Sequence, residues 1–310
     1  MEKKKYGKNA LHVSRLGFGA WPLGNTAHGH TMTVEEGVEL VQHALKQGIN
    51  FFDTAPNYAF GKSEAILGEA LLGKRHQVVI NSKFGHHPDG TIDFSEDRLQ
   101  RSIQGSLKRL KTDYLDSVIL HNPAMDILTG KTNHFEHLKQ LKAAGVILGF
   151  GVSIDTAEEL KVVLTKQRVD VIELLYHVFA QSTRDLLDEI KKQNIALIIK
   201  VPLDSGWLTG KYTKDTMFSG IKGRWTAKDK LRRHQLVESV KNMVKDDALT
   251  KYALGFLWSL DAVTTVIPGI RTKTQLDEHV EALHFAFPKT YKALFEKLYD
   301  DYIAKDPLPW

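Results

Sequence analysis

The sequence contains no cysteine among its 310 residues. A disulfide, a thiol nucleophile and a cysteine-based metal site are therefore excluded. Histidine is plentiful, with 14 residues, and His134 and His137 lie three apart on a predicted helix. No third ligand accompanies them at a recognised spacing, so we expect solvated histidines and no metal site. Redox chemistry in this chain would need a bound cofactor.

Long apolar runs are also absent. A membrane span needs about 20 apolar residues, and Asp261 and Pro268 interrupt the best candidate segment, 253–270. Residues 1–8 are basic, but neither an apolar core nor a small-residue cleavage site follows them. We therefore expect no secretory signal, no membrane partner and a cytoplasmic protein.

Positively and negatively charged residues are present in nearly equal numbers. Lys and Arg number 42 against 37 Asp and Glu, a net charge of +5. This excess is too small to indicate nucleic-acid binding, although it favours anionic ligands such as phosphates. Hydrophobic residues make up 42% and charged residues 25%, which is typical of a globular protein with a large core.

Short β-branched or aromatic runs recur along the chain, and a longer segment of helical period follows each one, as in parallel strand–helix units. The predicted strands are 16–19, 50–53, 78–81, 117–121, 148–152, 171–174, 196–200 and 263–267. The predicted helices begin near residues 33, 63, 95, 133, 156, 183, 235 and 273, several at a Ser, Thr or Asn suited to N-capping, and a last helix covers about 289–305.

Eight strand–helix pairs predict an α/β fold, a closed (β/α)8 TIM barrel forming a single domain over residues 1–310. An open doubly wound sheet is the alternative, but such sheets commonly have fewer pairs per domain. Gly17 and Gly19 suggest a dinucleotide-binding turn, yet Pro22 stands where G-x-G-x-x-G has its third glycine. We interpret the long irregular connection at about 204–233 as a loop that covers a cofactor.

Polar residues follow three successive predicted strands. Asp53 ends the second strand and is followed by Tyr58, Lys83 comes after the third, and His121 ends the fourth. In a barrel these positions face the mouth at which barrel enzymes perform chemistry. Singly, each has an ordinary interpretation as a turn former, loop aromatic, solvated cation or rim histidine. Together they predict a catalytic site.

The four side chains could act together in one proton-transfer reaction. A lysine at the end of a buried strand is costly unless a carboxylate pairs with it, and Asp53 is placed to do so for Lys83. The ammonium is then expected to lower the pKa of Tyr58, making it a proton donor. A neutral His121 would hold the substrate oxygen. Trp21, Phe84 and His121 are predicted to line the substrate pocket, and packing in the core is the alternative for both aromatics.

The segment 53–64, DTAPNYAFGKSE, resembles the signature of the aldo-keto reductase superfamily. The similarity extends over nearly the whole chain, through LGFGAW at 16–21, KFG at 83–85, LHNP at 120–123, GVS at 151–153, PLDSGWLTGK at 202–211 and IPG at 267–269. The resemblance implies a (β/α)8 oxidoreductase with a preference for NADP and the catalytic tetrad Asp53, Tyr58, Lys83 and His121.

The resemblance also implies cofactor contacts. Ser153 and Glu173 would lie near the nicotinamide carboxamide, the turn at 203–208 would wrap the pyrophosphate, and Arg271 would bind the 2′-phosphate. The complete predicted set is Gly19, Trp21, Ser153, Glu173, Lys200, Pro202, Leu203, Ser205, Gly206, Leu208, Lys211, Arg224, Gly269, Arg271, Gln275, Glu278 and His279.

Several positions depart from the commoner family pattern. Ile154 stands where Asn is usual, Glu173 where Gln is usual, and Lys200 where an aromatic often stacks on the nicotinamide ring. Gly269, Gln275 and His279 replace a frequent Lys, Arg and Asn, which removes two cations from the expected 2′-phosphate site. The cofactor prediction is therefore NADP(H), with NAD(H) as the alternative.

Three functions follow from these patterns. The first is reversible NADPH-dependent reduction of an aldehyde, ketone or sugar carbonyl to the alcohol, with Tyr58 as general acid. The second is an NADP(H)-binding regulatory or sensor subunit with little turnover. The third is a phosphate-handling barrel lyase or isomerase, which leaves Tyr58 unexplained. The identity of the substrate and the oligomeric state stay open, because variable loops build the pocket.

Overall fold

Eight parallel strands form one sheet in the computed structural model, which describes residues 1–8, 10–27, 30–218 and 220–309, with the backbone alone at 221 and 222. In chain order they are β1 Phe18–Gly19, β2 Phe51–Asp53, β3 Val79–Phe84, β4 Ser117–His121, β5 Phe150–Ile154, β6 Val171–Leu175, β7 Ala196–Lys200 and β8 Thr265–Ile267. Parallel bridges Leu16–Val266 and Gly19–Gly269 join the first strand to the last. The sheet is therefore closed, and the predicted (β/α)8 barrel is confirmed.

Helices connect the strands on the outside of the barrel. Their bounds are α1 Val34–Lys46, α2 Lys62–Ala70, α3 Glu96–Leu110, α4 Met125–Leu128, α5 His134–Ala143, α6 Ala157–Lys166, α7 Leu187–Lys192, α8 Ala227–Val244, α9 Thr250–Trp258, α10 Lys273–Leu283 and α11 Lys289–Tyr302. Thr33 and Thr156 cap α1 and α6, each with a glutamate three residues later that completes a capping box. These starts agree with the predicted ones.

The connection after β7 is shorter than predicted. It contains short 3-10 segments at Asp204–Thr209 and Gly220–Arg224, and α8 then begins at Ala227 rather than near residue 235. Thr226 caps this helix by accepting from the Asp229 amide, and the Asp229 carboxylate bonds back to the Thr226 amide. The first turns of α8 are mostly polar, so apolar periodicity did not mark them, and the predicted loop end at 233 is corrected to 226.

Two layers of core lie on the two faces of the sheet. Phe51, Val79, Ile119, Val171 and Ile198 fill the barrel interior, while a larger cluster packs between strands and helices. An antiparallel hairpin of Lys3–Lys5 and His12–Ser14 precedes the barrel. It brings Tyr6, which is fully buried, into the interior cluster. The interior is thus filled below the carboxyl ends of the strands, which leaves those ends for a site.

Within the described residues, no helix is both long and apolar enough to cross a membrane.

Candidate active site

The predicted tetrad comes together at the carboxyl ends of three adjacent strands. Asp53 ends β2, Lys83 is the last residue but one of β3, and His121 ends β4. Tyr58 begins the 3-10 turn Tyr58–Gly61, which follows β2. Neighbouring parallel strands bring their carboxyl ends to one mouth, and the four side chains meet there.

Lys83 and Asp53 form a buried ion pair. The Lys83 ammonium donates to both carboxylate oxygens of Asp53 at 2.6 and 2.7 Å and to the Thr54 carbonyl at 3.1 Å. The side chains of Lys83 and Asp53 are 0% and 3% exposed. Asn81 holds the same carboxylate by donating its amide to Asp53 Oδ1 at 2.7 Å. These contacts fix the position of the ammonium.

Tyr58 lies between Lys83 and His121. The Lys83 ammonium lies 5.3 Å from the centre of the Tyr58 ring, and the Tyr58 and His121 ring centres are 6.2 Å apart in an edge-to-face arrangement. The next two residues, Ala59 and Phe60, adopt left-handed backbone conformations with φ of 49° and 56°. This tight turn sets the direction from which the phenol enters the mouth.

The pKa of Tyr58 is raised above its ordinary value, opposite to the direction expected from the sequence. Burial is the largest cause, and although the charge of Lys83 lowers the pKa, the carboxylates of Asp53 and Glu173 raise it. Burial of the phenol and the Glu173 carboxylate beside Lys83 were not visible in the sequence, and both oppose the effect of the ammonium. The phenol is therefore protonated at neutral pH, the form that a proton donor needs.

His121 is held neutral. Burial, together with the positive charge of Lys83, keeps the pKa of His121 well below its usual range. The His86 ring stacks on it, with ring centres 4.2 Å apart and planes 22° apart. Sequence reasoning missed His86 at this mouth. Its position three residues after Lys83, two residues beyond the end of the same strand, is the signal that could have identified it.

Glu173 contacts the ion pair from the opposite side of the barrel. Its Oε2 lies 3.2 Å from the Lys83 ammonium, with both side chains almost fully buried. Its Oε1 accepts from the Ser153 hydroxyl at 3.1 Å. Ser153 and Glu173 were expected to lie near a nicotinamide carboxamide, and the structure places both next to the tetrad.

Lys200 joins the same polar cluster from the end of β7. Its ammonium bonds Asp155 Oδ1 and Ser153 Oγ, both at 2.8 Å, and Asn122 Oδ1 at 2.9 Å. The carboxylate that pairs with Lys200 is therefore Asp155, whereas Glu173 pairs with Lys83. The structure therefore places Lys200, a predicted cofactor contact, in the polar cluster at the mouth.

The two predicted aromatic pocket residues lie in different environments. Trp21 follows β1 and is 43% exposed at the mouth. Phe84 is fully buried and packs edge-on against Phe94, with ring centres 5.8 Å apart. It also contacts His134 in a tilted arrangement. Since Lys83 faces the barrel interior, the next residue along the strand faces the helices. The structure therefore places Phe84 in the helix–strand core, away from the mouth.

A close approach of two strands requires Gly19 at its position. A Cβ atom there would lie 2.7 Å from the Pro268 carbonyl oxygen and 2.8 Å from that of Ile267. At its bridge partner Gly269, an added Cβ would come no closer than 3.4 Å to Pro22. Barrel closure therefore accounts for Gly19 independently of any cofactor.

The turn predicted to bind the pyrophosphate has a strained backbone, and two of its amides form hydrogen bonds within the turn. Asp204 and Ser205 adopt φ of 44° and 54°, and the amides of Gly206 and Leu208 both donate to the Leu203 carbonyl. Pro202 and Leu203 are buried beneath the turn. Left-handed residues in sequence make concave backbone surfaces that suit anions.

Two predicted cations flank this turn. Lys211 lies 3.5 Å from Glu278 of α10, so it links the connection after β7 to the helix that follows β8. The Arg224 guanidinium lies 4.7 Å from the centre of the Trp225 ring. Both residues thus lie on the connection that was predicted to cover a cofactor.

The residues predicted to bind the adenosine end of the cofactor lie in and just before α10. The Arg271 guanidinium donates to the carbonyls of Asn25 at 2.9 Å and His30 at 2.5 Å, and its amide donates to Gln275 Oε1 at 2.9 Å. His279 is buried, and this burial lowers its pKa to about 4. Arg271 therefore connects this end of the site to the loop after β1.

No group of three or more His, Asp or Glu side chains in the described ranges is arranged to hold a metal ion.

A closed parallel barrel with a lysine–carboxylate pair beneath a tyrosine at its carboxyl mouth has the architecture of the aldo-keto reductases. The sequence profile of the Aldo/keto reductase family matches residues 15–300. The chain belongs to this family.

A solved structure and several curated proteins are similar along most of their length. The holo form of aldo-keto reductase AKR11C1 from Bacillus halodurans superimposes with a TM-score of 0.81 at 25% identity, covering 96% of each chain. Aldo-keto reductase YhdN of Bacillus subtilis is 32% identical over 246 residues, which cover 76% of this chain and 69% of that protein.

Two further relatives have names that state different functions. A probable voltage-gated potassium channel subunit beta of Oryza sativa subsp. japonica is 29% identical over 308 residues, covering 91% of each chain. The NADH-specific methylglyoxal reductase of Escherichia coli is 26% identical over 306 residues, covering 92% of this chain and 94% of that protein.

Proposed function

We propose that this chain is an NADP(H)-dependent oxidoreductase that reversibly reduces an aldehyde, ketone or sugar carbonyl to the alcohol. The observation that carries the proposal is the Lys83–Asp53 ion pair, with contacts of 2.6 and 2.7 Å, placed under Tyr58 and beside His121. A relative whose name states that it reduces methylglyoxal, a small dicarbonyl, supports this class of substrate.

Several features of the mouth suit a nicotinamide dinucleotide. His121 Nδ1 is a buried polar atom without a hydrogen-bond partner among the described residues, and a buried polar atom of this kind suits a polar ligand. Arg271 and Lys211 supply positive charge where the 2′-phosphate and pyrophosphate would lie. The connection at 204–226 would then cover the bound dinucleotide, and Lys211 would hold it to α10.

In the proposed reaction, the residues of this chain handle the proton. When bound, the cofactor supplies the hydride that adds to the carbonyl carbon and is itself oxidised. Tyr58 gives its hydroxyl proton to the carbonyl oxygen, which becomes the alcohol oxygen, and the Lys83 ammonium stabilises the phenolate that remains. Neutral His121 donates a hydrogen bond that orients the same oxygen. In the reverse direction the phenolate accepts the proton.

Tyr58→Phe tests the proposal, because it removes only the hydroxyl. We expect the turnover of a panel of aldehydes, ketones and sugars with NADPH to fall by about a hundredfold or more, while NADPH affinity measured by fluorescence titration stays the same. Tyr302→Phe, at a residue of α11 that is 66% exposed, is the matched control and should keep full activity. Wild-type rates from Tyr58→Phe would exclude this mechanism.

A regulatory subunit with little turnover is the second candidate, favoured by the similarity to a probable channel subunit. The two candidates differ in a measurable way. A regulatory subunit would bind NADPH but would not consume it with any carbonyl of the panel, whereas the proposed reductase consumes NADPH with at least one of them.

A further inference from the structure

The Lys83 ammonium has two carboxylate partners. Asp53 holds it through both oxygens, and Glu173 approaches to 3.2 Å from β6. These strands are not adjacent, since β4 and β5 lie between β3 and β6 in the sheet order. The Glu173 side chain therefore reaches across the barrel interior to the cation beneath Tyr58.

A row of charged groups extends from this contact across the mouth. Asp53, Lys83, Glu173, Lys200 and Asp155 follow one another, with the Ser153 hydroxyl between Glu173 and Lys200. Three carboxylates thus share two ammonium groups, and burial together with the neighbouring Glu173 carboxylate raises the pKa of Asp53 to about 7. The other titratable groups that face this row are Tyr58, His121, His86 and, from below, Tyr6.

We propose that Glu173 is a positioning residue that shares the Lys83 ammonium with Asp53 and thereby weakens the effect of that ammonium on the Tyr58 phenol. The inference deepens the proposed function and rests on it. Glu173 touches Lys83 and acts on the phenol through that ammonium. The site is thus biased toward proton donation, the reductive direction.

The distance between Glu173 and Lys83 determines how strongly the ammonium acts on the phenol. An ammonium with one carboxylate would stabilise a phenolate, but a second carboxylate at 3.2 Å cancels much of that field inside a buried site. Glutamine is nearly the same size as glutamate and carries no charge, and its amide can turn so that the oxygen accepts from Lys83 and the NH2 group donates to the Ser153 hydroxyl oxygen. Glu173→Gln therefore removes the second negative charge and leaves the shape of the site.

The experiment compares pH profiles of kcat/KM for reduction and for alcohol oxidation. In Glu173→Gln, the alkaline limb of reduction should move to lower pH by about one unit or more, because the phenol ionises earlier. The acid limb of oxidation should move in the same direction. Glu173→Asp keeps the negative charge but moves it away from Lys83 by the length of one methylene. It should therefore shift both pH limbs in the same direction as Glu173→Gln, but by less. This second variant carries the test if the first does not fold.

A matched control separates charge from structure. Glu64 is also fully buried, and it binds Ser82 at 2.7 Å and Arg109 at 2.7 Å on the helix side of β3. Glu64→Gln should lower the melting temperature and leave both pH limbs in place. An unchanged profile in Glu173→Gln, or an equal shift in Glu64→Gln, would overturn the inference.

A second readout is independent of turnover. Tyrosinate absorbance during alkaline titration, with the matching Tyr58→Phe protein as the blank, reports ionisation of this phenol directly. It should begin at lower pH in Glu173→Gln than in the wild type. If the wild type reduced no carbonyl, the proposed function would fail, and this titration would still decide the role of Glu173. Identical titration curves would reject it.

Discussion

The Lys83 ammonium and the Asp53 carboxylate meet through two hydrogen bonds of 2.6 and 2.7 Å in a site where both side chains are almost fully buried. Burial lowers the pKa of Lys83, but the carboxylates of Asp53 and Glu173 raise it by more than burial lowers it. The net shift of the Lys83 pKa is therefore upward. The lysine is therefore a permanent cation over the physiological range. It is also the shared counter-ion of two buried carboxylates.

Lys83→Met should destabilise the fold more than Asp53→Asn. Without the ammonium, two buried carboxylates face each other unpaired, whereas in Asp53→Asn the cation keeps Glu173 as a partner. Breaking a buried pair costs about 3–5 kcal/mol, and we expect Lys83→Met at or above this range in urea unfolding at pH 7.

The exposed pair Arg101–Asp97 provides the control. Arg101→Met should cost less than about 1 kcal/mol. Part of the Lys83→Met loss should be recovered at pH 5, where the unpaired carboxylates bind protons. An Asp53→Asn variant less stable than Lys83→Met would contradict this account.

Much of the mouth could be predicted because polar residues at strand ends are conspicuous in an otherwise apolar pattern. Asp53, Lys83 and His121 were identified in this way, and eight strand–helix pairs were enough to predict the closed barrel. The predicted third strand stopped at residue 81, whereas β3 continues through Phe84. Lys83 is therefore inside the strand, and the alternation of faces turns Phe84 away from the pocket.

What could not be predicted depends on contacts across the barrel. The approach of Glu173 to Lys83 joins strands that are three places apart in the sheet, and no local pattern encodes such a distance. The same holds for the pairing of Lys200 with Asp155 and the stacking of His86 on His121. Register and side-chain reach determine these contacts.

Acid should destabilise the fold through two buried histidines. Burial is the largest cause that lowers the pKa of both His177 and His279, in each case to about 4, against about 6.5 in an unfolded chain. Between these values the unfolded chain binds more protons, so stability is full above pH 6.5 and declines as the pH falls toward 4. Each histidine contributes about 1.4 kcal/mol per pH unit in this window.

Urea unfolding at several pH values between 4.5 and 7.5 checks this expectation. His177→Gln and His279→Gln should each flatten the dependence of the free energy of unfolding on pH below 6.5. His76→Gln, at an exposed histidine, should leave it unchanged. If neither buried variant flattened the curve, the histidines would not be the source of the acid sensitivity.

Arg271→Ala should weaken NADPH far more than NADH. Only NADPH carries the 2′-phosphate, and hydrogen bonds to a charged group contribute about 1.5–3 kcal/mol each, which corresponds to a loss in NADPH affinity of about 10- to 100-fold. NADH affinity should change less than about threefold. Fluorescence titration with each nucleotide measures both dissociation constants.

The contacts of Arg271 in this structure make the result informative in either direction. Its guanidinium already binds the carbonyls of Asn25 and His30, so the substitution also releases the loop after β1. Equal losses for the two nucleotides would show that Arg271 acts by holding that loop and not by binding phosphate. Lys273→Ala removes a neighbouring cation that pairs with Glu39 at 2.8 Å, and it should alter neither affinity appreciably. A loss specific to NADPH in Arg271→Ala alone would assign the 2′-phosphate to this guanidinium.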